Sequence, residues 1–173
     1  HTTPYALLRS LVGSEMCIRD RGNAEINGLE LDATYKPNDT LTLSGYVVSN
    51  DPSLSEDYYD VSGVLQANSG NRLAYVPELS YVLGLDKVLS IFGMPGYMSI
   101  DNSYTGDRYT SQANELKLPS YAIANIRVGV ESNNRSMEVF ISNLTDENGY
   151  LSRYNDFGDI RRTQNRPRVI GLN

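Results

Sequence analysis

From Gly22 to the C-terminus, apolar and polar residues alternate with a period of two, and that period restricts the chain to strands with two unlike faces. The clearest stretch is Leu118 to Glu131. Ala122, Ala124, Ile126, Val128 and Val130 fall on one side; Tyr121, Asn125, Arg127, Gly129 and Glu131 fall on the other. Leu29, Leu31, Ala33 and Tyr35 alternate with Glu30, Asp32, Thr34 and Lys36 in the same way. Leu79, Tyr81, Leu83 and Leu85 alternate with Glu78, Ser80, Gly84 and Asp86. Met137, Val139 and Ile141 alternate with Ser136, Glu138 and Ser142, with Phe140 breaking the polar side. Weaker alternation over Thr40 to Asn50, Gly96 to Tyr104 and Arg166 to Asn173 brings the count to seven strands. The fold class is all-β, an antiparallel meander, and the 13 Tyr and 14 Gly suit strands and turns better than helices.

The connections alternate as well. Lys36-Pro37-Asn38-Asp39 predicts a tight turn, and ESNNRS (Glu131 to Ser136) a second short link. Asp86 to Pro95 reads as a longer connection that carries Val88, Leu89, Ile91 and Phe92. Three long loops run from about Asp51 to Arg72, Thr105 to Lys117 and Thr145 to Asn165. Short turns at one end and long loops at the other are the asymmetry of outer-membrane barrels. A soluble sandwich would pack its apolar face against a second sheet and favour bulky residues there. A barrel turns that face to lipid, where Ala serves, and admits charge inside, as at Asp32, Lys36, Asp101 and Arg127. Tyr35, Tyr46, Tyr75, Tyr81, Tyr97, Tyr104 and Tyr121 fit an aromatic girdle, or simply pack on a sheet.

Composition removes several function classes. With 15 Lys plus Arg against 21 Asp plus Glu, the net charge is -6, which argues against a nucleic-acid partner. One Cys and one His leave no disulfide framework and no Cys/His metal site. Both lie in residues 1–21, which lack the alternation of residues 22–173 and have no signal-peptide pattern. SLVGSEMCIRDR (Ser10 to Arg21) resembles a translated sequencing adaptor, so residues 1–21 are set aside as a non-native extension; a native linker is the alternative. From Gly22 on, 12 basic and 19 acidic side chains remain, and no His.

Five segments then carry a family resemblance. GLELDATYKPNDTLTLSGYVVSND (Gly28 to Asp51) resembles the strand, turn and strand of TonB-dependent outer-membrane receptors. RLAYVPELSYVLGL (Arg72 to Leu85), with its Val76-Pro77-Glu78 step, is similar to the family's next strand. LPSYAIANIRVGV (Leu118 to Val130) resembles its Leu-Pro-x-Tyr strand. MEVFISNLTDENGY (Met137 to Tyr150) resembles the penultimate strand, with an Asn-Leu-x-Asp-Glu step at Asn143, Leu144, Asp146 and Glu147. RPRVIGLN (Arg166 to Asn173) is similar to the start of the last strand. The resemblance implies a C-terminal segment of a large transmembrane barrel of about 22 strands. Plug and partner-binding segment are absent from these residues, and the last strand is expected to be cut short. It also implies a Gram-negative outer-membrane location, among lipid and lipopolysaccharide. The implied work is energy-coupled uptake of a metal chelate such as an iron-siderophore. An inner-membrane TonB-type protein would act through the missing N-terminal part. A structural or adhesive barrel, and a soluble carbohydrate-binding β-sandwich, are the alternatives.

Catalytic chemistry has no residues to stand on. A Ser-His-Asp triad needs a His that residues 22–173 lack, and no phosphate-binding glycine loop occurs. Asp156-Phe157-Gly158 matches a kinase trio without its catalytic loop and reads as polar loop. The Asn-x-Ser/Thr triplets at Asn38, Asn134 and Asn143 read as turns and strand ends. The expectation is no enzyme, no resident cofactor and no metal site. Glu56, Asp57 and Asp60 form either a cation site or a solvated loop. Tyr58, Tyr59, Tyr104, Tyr109, Tyr150 and Tyr154 in or near the outer loops offer stacking surfaces for a ligand, or ordinary packing. Arg153, Arg161 and Arg162 suit an anionic ligand or a lipopolysaccharide phosphate. The ligand-binding candidates are therefore Tyr58, Tyr59, Asp60, Tyr109, Arg153 and Tyr154.

Overall fold

The structure is a computed structural model and describes residues 23–132, 135–156 and 159–173. The N-terminal segment 1–21, Asn134 of its triplet, and Phe157 and Gly158 of the Asp156-Phe157-Gly158 trio lie outside the described residues. In chain order the strands are β1 (Ala24–Asn38), β2 (Leu41–Leu54), β3 (Tyr58–Tyr59), β4 (Leu65–Ala67), β5 (Leu79–Ile91), β6 (Met94–Thr105) and β7 (Arg108–Tyr109). They continue as β8 (Lys117–Leu118), β9 (Tyr121–Ser132), β10 (Arg135–Ser142), β11 (Tyr150–Asp156), β12 (Asp159–Gln164) and β13 (Val169–Leu172). Seven of them form one antiparallel sheet in the order β1-β2-β5-β6-β9-β10-β13. The seven predicted strands are these seven.

Register explains the period of two. One row of direct partners crosses the whole sheet: Tyr35, Leu43, Leu85, Ile100, Ile126, Ile141 and Ile170. The adjacent row on the other face reads Thr34, Ser44, Gly84, Asp101 and Asn125. A slip of one residue in β1, β2, β6 or β9 would place a polar residue in the apolar row, so the pattern of these strands pins the register. Among the described residues no second layer covers the apolar face: Leu29 is 72 % exposed, Leu31 60 %, Ile170 68 % and Leu172 67 %. That is the opposite of a sandwich. The fully buried side chains, Leu118 and Pro52, sit at the loop end.

Three expectations about connections change. Asp86 to Pro95 is not a loop: β5 and β6 run on to Ile91 and Met94, joined by Phe92 and Gly93 alone. Both have positive φ, 52° and 78°, as a two-residue hairpin turn with the twist of its strands requires. The first tight turn falls two residues later, at Asp39 and Thr40, where Asn38 Oδ1 accepts hydrogen bonds from Thr40 N at 3.0 Å and Oγ1 at 2.8 Å. Pro37 sits in the register break between Tyr35 and Asn38, a position that needs no ladder N–H. The three long loops are not structureless; each holds a two-stranded hairpin, β3–β4, β7–β8 or β11–β12.

The tyrosines divide rather than form one belt. Tyr35, Tyr81 and Tyr104 lie in the apolar rows, Tyr81 and Tyr104 stacked with ring centroids 5.1 Å apart. Tyr46, Tyr97 and Tyr121 lie in the polar rows and Tyr75 in a loop. Two aromatics on the polar face fill the space over a glycine opposite: Tyr97 over Gly129 and Phe140 over Gly171. A Cβ at Gly129 would come within 2.5 Å of the Tyr97 ring. The ring crosses that gap so that its hydroxyl donates to Glu138 Oε2, 2.5 Å away on the next strand.

Two tests follow from the two faces, both read by urea titration of the receptor folded into lipid vesicles. Val128→Arg, on the apolar face, is expected to cost about 2–4 kcal/mol. Thr42→Arg, directly opposite Asp86 on the polar face, should be nearly neutral, and equal costs would reverse the assignment of faces. Gly129→Ala should cost about 1–3 kcal/mol by crowding the Tyr97 ring. Combined with Tyr97→Ala it should cost less than the sum of the two; additivity within about 0.5 kcal/mol would deny the contact.

Candidate functional site

An up-and-down meander sends every second connection to the same end, so the three long loops share one rim. Loop one spans 55–78, loop two 106–120 and loop three 143–168. The packed residues of the chain gather there, and so do the candidate ligand-binding side chains.

In loop one, Asp60 closes the β3–β4 turn on itself. Its Oδ1 accepts hydrogen bonds from the backbone N of Ser62 at 2.8 Å and Val64 at 3.0 Å, and its Oδ2 from Gln66 Nε2 at 3.1 Å. Asp57 Oδ1 accepts from Ser69 N at 2.8 Å. Both carboxylates are thus engaged in holding the loop, and no metal-holding cluster of His, Cys, Asp or Glu occurs among the described residues. Tyr58 is half-buried and Tyr59 exposed, its hydroxyl 3.5 Å from Asp57 Oδ2.

Loops one and two are clasped through Arg72. Asn114 accepts from Arg72 N and donates to Arg72 O, both at 2.8 Å, while Arg72 Nη1 donates to Asp107 Oδ2 at 2.8 Å. Glu78 adds an ion pair to Arg72 at 3.1 Å, and Lys117 one to Asp107 at 3.0 Å. Tyr109 is placed by this clasp, with Arg72 and Lys117 lying 5.5 and 6.0 Å from its ring centroid. Arg108, next to it and only 6 % exposed, reaches loop three. Its Nη2 donates to the carbonyls of Tyr150 at 3.1 Å and Leu151 at 3.3 Å, and its guanidinium lies 5.6 Å from the Tyr121 ring centroid.

Loop three is tied at its foot by Asn143, which is 3 % exposed and takes φ 54°. Asn143 Nδ2 donates to the carbonyls of Glu147 and Arg166, each at 3.0 Å, and Oδ1 accepts from Glu147 N at 2.8 Å. Asn165 ties the other end, accepting from Gly149 N at 2.8 Å and donating to Glu147 O at 2.9 Å. Asp146 Oδ1 accepts from Arg168 N at 2.8 Å. The foot also connects to the polar face of the sheet. Asn143 N donates to Asn125 Oδ1 at 2.9 Å, and Asn125 Nδ2 donates to Asp101 Oδ2 at 2.6 Å. Below it lies a hollow of about 320 Å³ lined by Ile123, Asn125, Phe140, Asn143, Arg166 and Val169.

The six candidates therefore fall on three hairpins. Tyr58, Tyr59 and Asp60 share the first, Tyr109 stands on the second, and Arg153 and Tyr154 share β11 of the third. None of them lines the hollow. Arg72, Arg108, Asn114, Asn143 and Asn165 organise the rim, and sequence reasoning passed over them as site residues. The usable signal was loop asparagine, the non-glycine residue best suited to positive φ: Asn114 takes 58° and Asn143 54°.

The clasp has a pH dependence. The Lys117 ammonium, and then Arg72, hold the Asp107 carboxyl below the usual aspartate range, and Asp107 in turn raises Lys117. A depressed carboxyl stabilises the fold above its unfolded value and loses that contribution as pH falls through its folded one. A raised lysine keeps its contribution until pH passes its own elevated value. Limited proteolysis of loops one and two should thus be constant from neutral pH down to about pH 4, then rise. Asp107→Asn should raise cleavage at neutral pH and flatten the profile; a variant cut like the parent at every pH would dismiss the clasp.

Comparison with known proteins meets this geometry. Residues 9–144 match the family described as TonB dependent receptor-like, beta-barrel. The ferric yersiniabactin uptake receptor FyuA from Yersinia pestis superposes with a TM-score of 0.78 at 19% identity, over 88% of this chain and 23% of that one. The siderophore receptor PiuA from Acinetobacter baumannii gives 0.71 at 19% identity, over 86% of this chain and 21% of that one. BauA, the ferric preacinetobactin receptor from Acinetobacter baumannii, gives 0.70 at 18% identity, over 88% and 22%. The chain thus spans less than a quarter of the length of these solved structures. One face apolar and uncovered, the other polar and glycine-notched, short turns at one end and clasped loops at the other: with the family match over well over half its length, this chain belongs to the TonB-dependent receptor-like β-barrel family.

Proposed function

We propose that this chain is part of the barrel wall of an outer-membrane receptor in a Gram-negative bacterium, one that takes up a metal chelate of the iron-siderophore type. The observation that carries the reading is the uncovered apolar face crossing all seven strands of a sheet whose other face bears Asp32, Asp101, Arg127 and Glu138. Such a surface suits contact with hydrocarbon outside and water within. The family membership, and solved neighbours that carry siderophore-receptor titles, support the transport reading over an adhesive barrel.

In this reading the loop rim faces the outside, beside lipopolysaccharide, and the short turns face the periplasm. The edges of β1 and β13 pair with strands of the remaining barrel. Tyr58, Tyr59 and Tyr154 offer ring faces to a chelate, Tyr109 sits at the clasp between Arg72 and Lys117, Arg153 supplies charge, and Asp60 keeps its hairpin in shape. Energy comes from an inner-membrane TonB-type partner acting on a plug inside the barrel. The protein breaks no bond in its ligand: it binds, then admits.

The gene that encodes this chain should restore growth on ferric chelates to an iron-starved host stripped of its own receptors. Uptake of radioactive iron should stop when the proton gradient is collapsed. Tyr59→Ala with Tyr154→Ala should lower it at least several-fold without lowering the amount of receptor in the outer membrane. Transport of no ferric chelate by a receptor that reaches the outer membrane would end the chelate reading; recovery of the protein in the soluble fraction would end the barrel reading.

A further inference from the structure

Loop three holds five of the chain's 15 basic residues between positions 153 and 168, in a chain whose net charge is -6. The register of β11 with β12 sets two of them directly opposite each other, Arg153 against Arg162. Like charges at opposed positions of an antiparallel pair destabilise a hairpin unless something neutral or negative intervenes. Arg162 has partial relief: its guanidinium lies 5.4 Å from the Tyr150 ring centroid, and Nη1 is 3.4 Å from the Tyr150 hydroxyl. Arg153 has none of this. Its Nε is shielded from solvent with no hydrogen-bond partner among the described residues. Asp159 does not answer the pair, because it stands two residues from Arg161 and so shares the opposite side of the hairpin. A second donor without a partner, Arg108 Nη1, belongs to the guanidinium that grips the Tyr150 and Leu151 carbonyls just before Arg153.

The geometry points to an oxyanion-binding pair at Arg153 and Arg162. Two guanidinium groups at one register position suit a carboxylate or phosphate, which accepts paired N–H bonds from each and removes the repulsion that otherwise opposes the hairpin. Tyr150 braces one side of the pair. The chemistry recognised is the oxyanion itself. It has two natural sources: a carboxylate- or phosphate-bearing ligand, and the phosphates of lipopolysaccharide beside the rim. The placement on the outer side rests on the function proposed above; the binding itself does not.

The test is therefore made on the complete receptor in detergent, without an energised membrane, so its outcome is separate from that of iron uptake. Inorganic pyrophosphate is the probe, titrated calorimetrically. Parent receptor should bind it with an affinity that falls as salt rises. R153Q/R162Q should weaken binding at least tenfold, R153K/R162K should lose less because the charge stays, and R135Q, on β10 at the turn end of the sheet, should bind like the parent. Heat-dependent gel mobility checks that each variant keeps a folded barrel. Equal pyrophosphate affinity in the parent and R153Q/R162Q receptors would overturn the assignment. Displacement of pyrophosphate by lipopolysaccharide, but not by lipopolysaccharide stripped of phosphate, would support it with lipid as the source. Displacement by a ferric complex with free carboxylates would support it with the ligand as the source. Displacement by neither would overturn a natural role for the pair.

Discussion

A strand satisfies its backbone only sideways, and in hydrocarbon there is no water to complete what a neighbour leaves open. Each unpaired N–H or C=O there costs several kcal/mol. The architecture follows from that. β2, β5, β6, β9 and β10 each pair on both sides, while β1 and β13 pair on one. Consecutive strands are neighbours because a two-residue turn such as Phe92-Gly93 is the shortest way to bring the next ladder into place. The alternation of side chains is the other half of the same constraint, since a wall between lipid and water can present only two kinds of surface. Strands of 12 to 15 residues in β1, β2, β5, β6 and β9 are longer than a tilted crossing needs, about 9–11. The excess lets the same ladders carry the loops beyond the rim.

The polar face does more than tolerate water. Tyr97 bridges from β6 over Gly129 to Glu138 on β10, and Asn173 Nδ2 donates to the same carboxylate at 3.1 Å. Nearer the rim, Asp101 faces Arg127 at 3.6 Å and accepts from Asn125, which holds Asn143 at the foot of loop three. Glycine on one strand and a ring on the next let the wall stay thin while its side chains still interlock across strands. The same chain of polar contacts joins the wall to the loops, so the position of loop three is set by the sheet and not by the loop alone.

The strands were legible in the sequence because each is written twice, once in its own alternation and once in its partners'. Leu118 to Glu131 shows this best, and the register extends its apolar row across all seven strands. Boundaries were less legible where local signals compete. Lys87 and Val88 broke the expected alternation, so the β5–β6 hairpin read as a loop, although Leu89 and Ile91 are in step with the apolar face. Pro37 looked like the centre of a turn because proline favours that place, but the structure uses it in a bulge. Tyr121 was placed on the polar side by the alternation of its own strand, whereas Tyr46 and Tyr97 carried no face assignment, because an aromatic reads the same on either face until parity is counted against partners. The rim was the least legible part. Its clasp depends on Arg72 meeting Asn114 and Asp107 across more than thirty residues of sequence, and no local pattern encodes a contact of that kind.

The rim separates its feet from its tips, and that separation bears on how such loops can serve recognition. Arg72, Arg108 and Asn143 are spent on backbone carbonyls of the loops, so each holds a loop's exit from the wall. Tyr59 and Tyr154 lie on the hairpins beyond these anchors and remain about half exposed, 48 % each. A change at an anchor displaces a whole hairpin, and with it every contact that hairpin makes. A change at a tip alters one contact and leaves the frame standing. Ligand preference in a wall of this kind can therefore shift through the hairpin tips while the clasps stay as they are. The β11–β12 hairpin shows the arrangement most clearly, because Arg108 fixes its base at Tyr150 and Leu151 while Arg153 and Arg162 stand opposed just beyond.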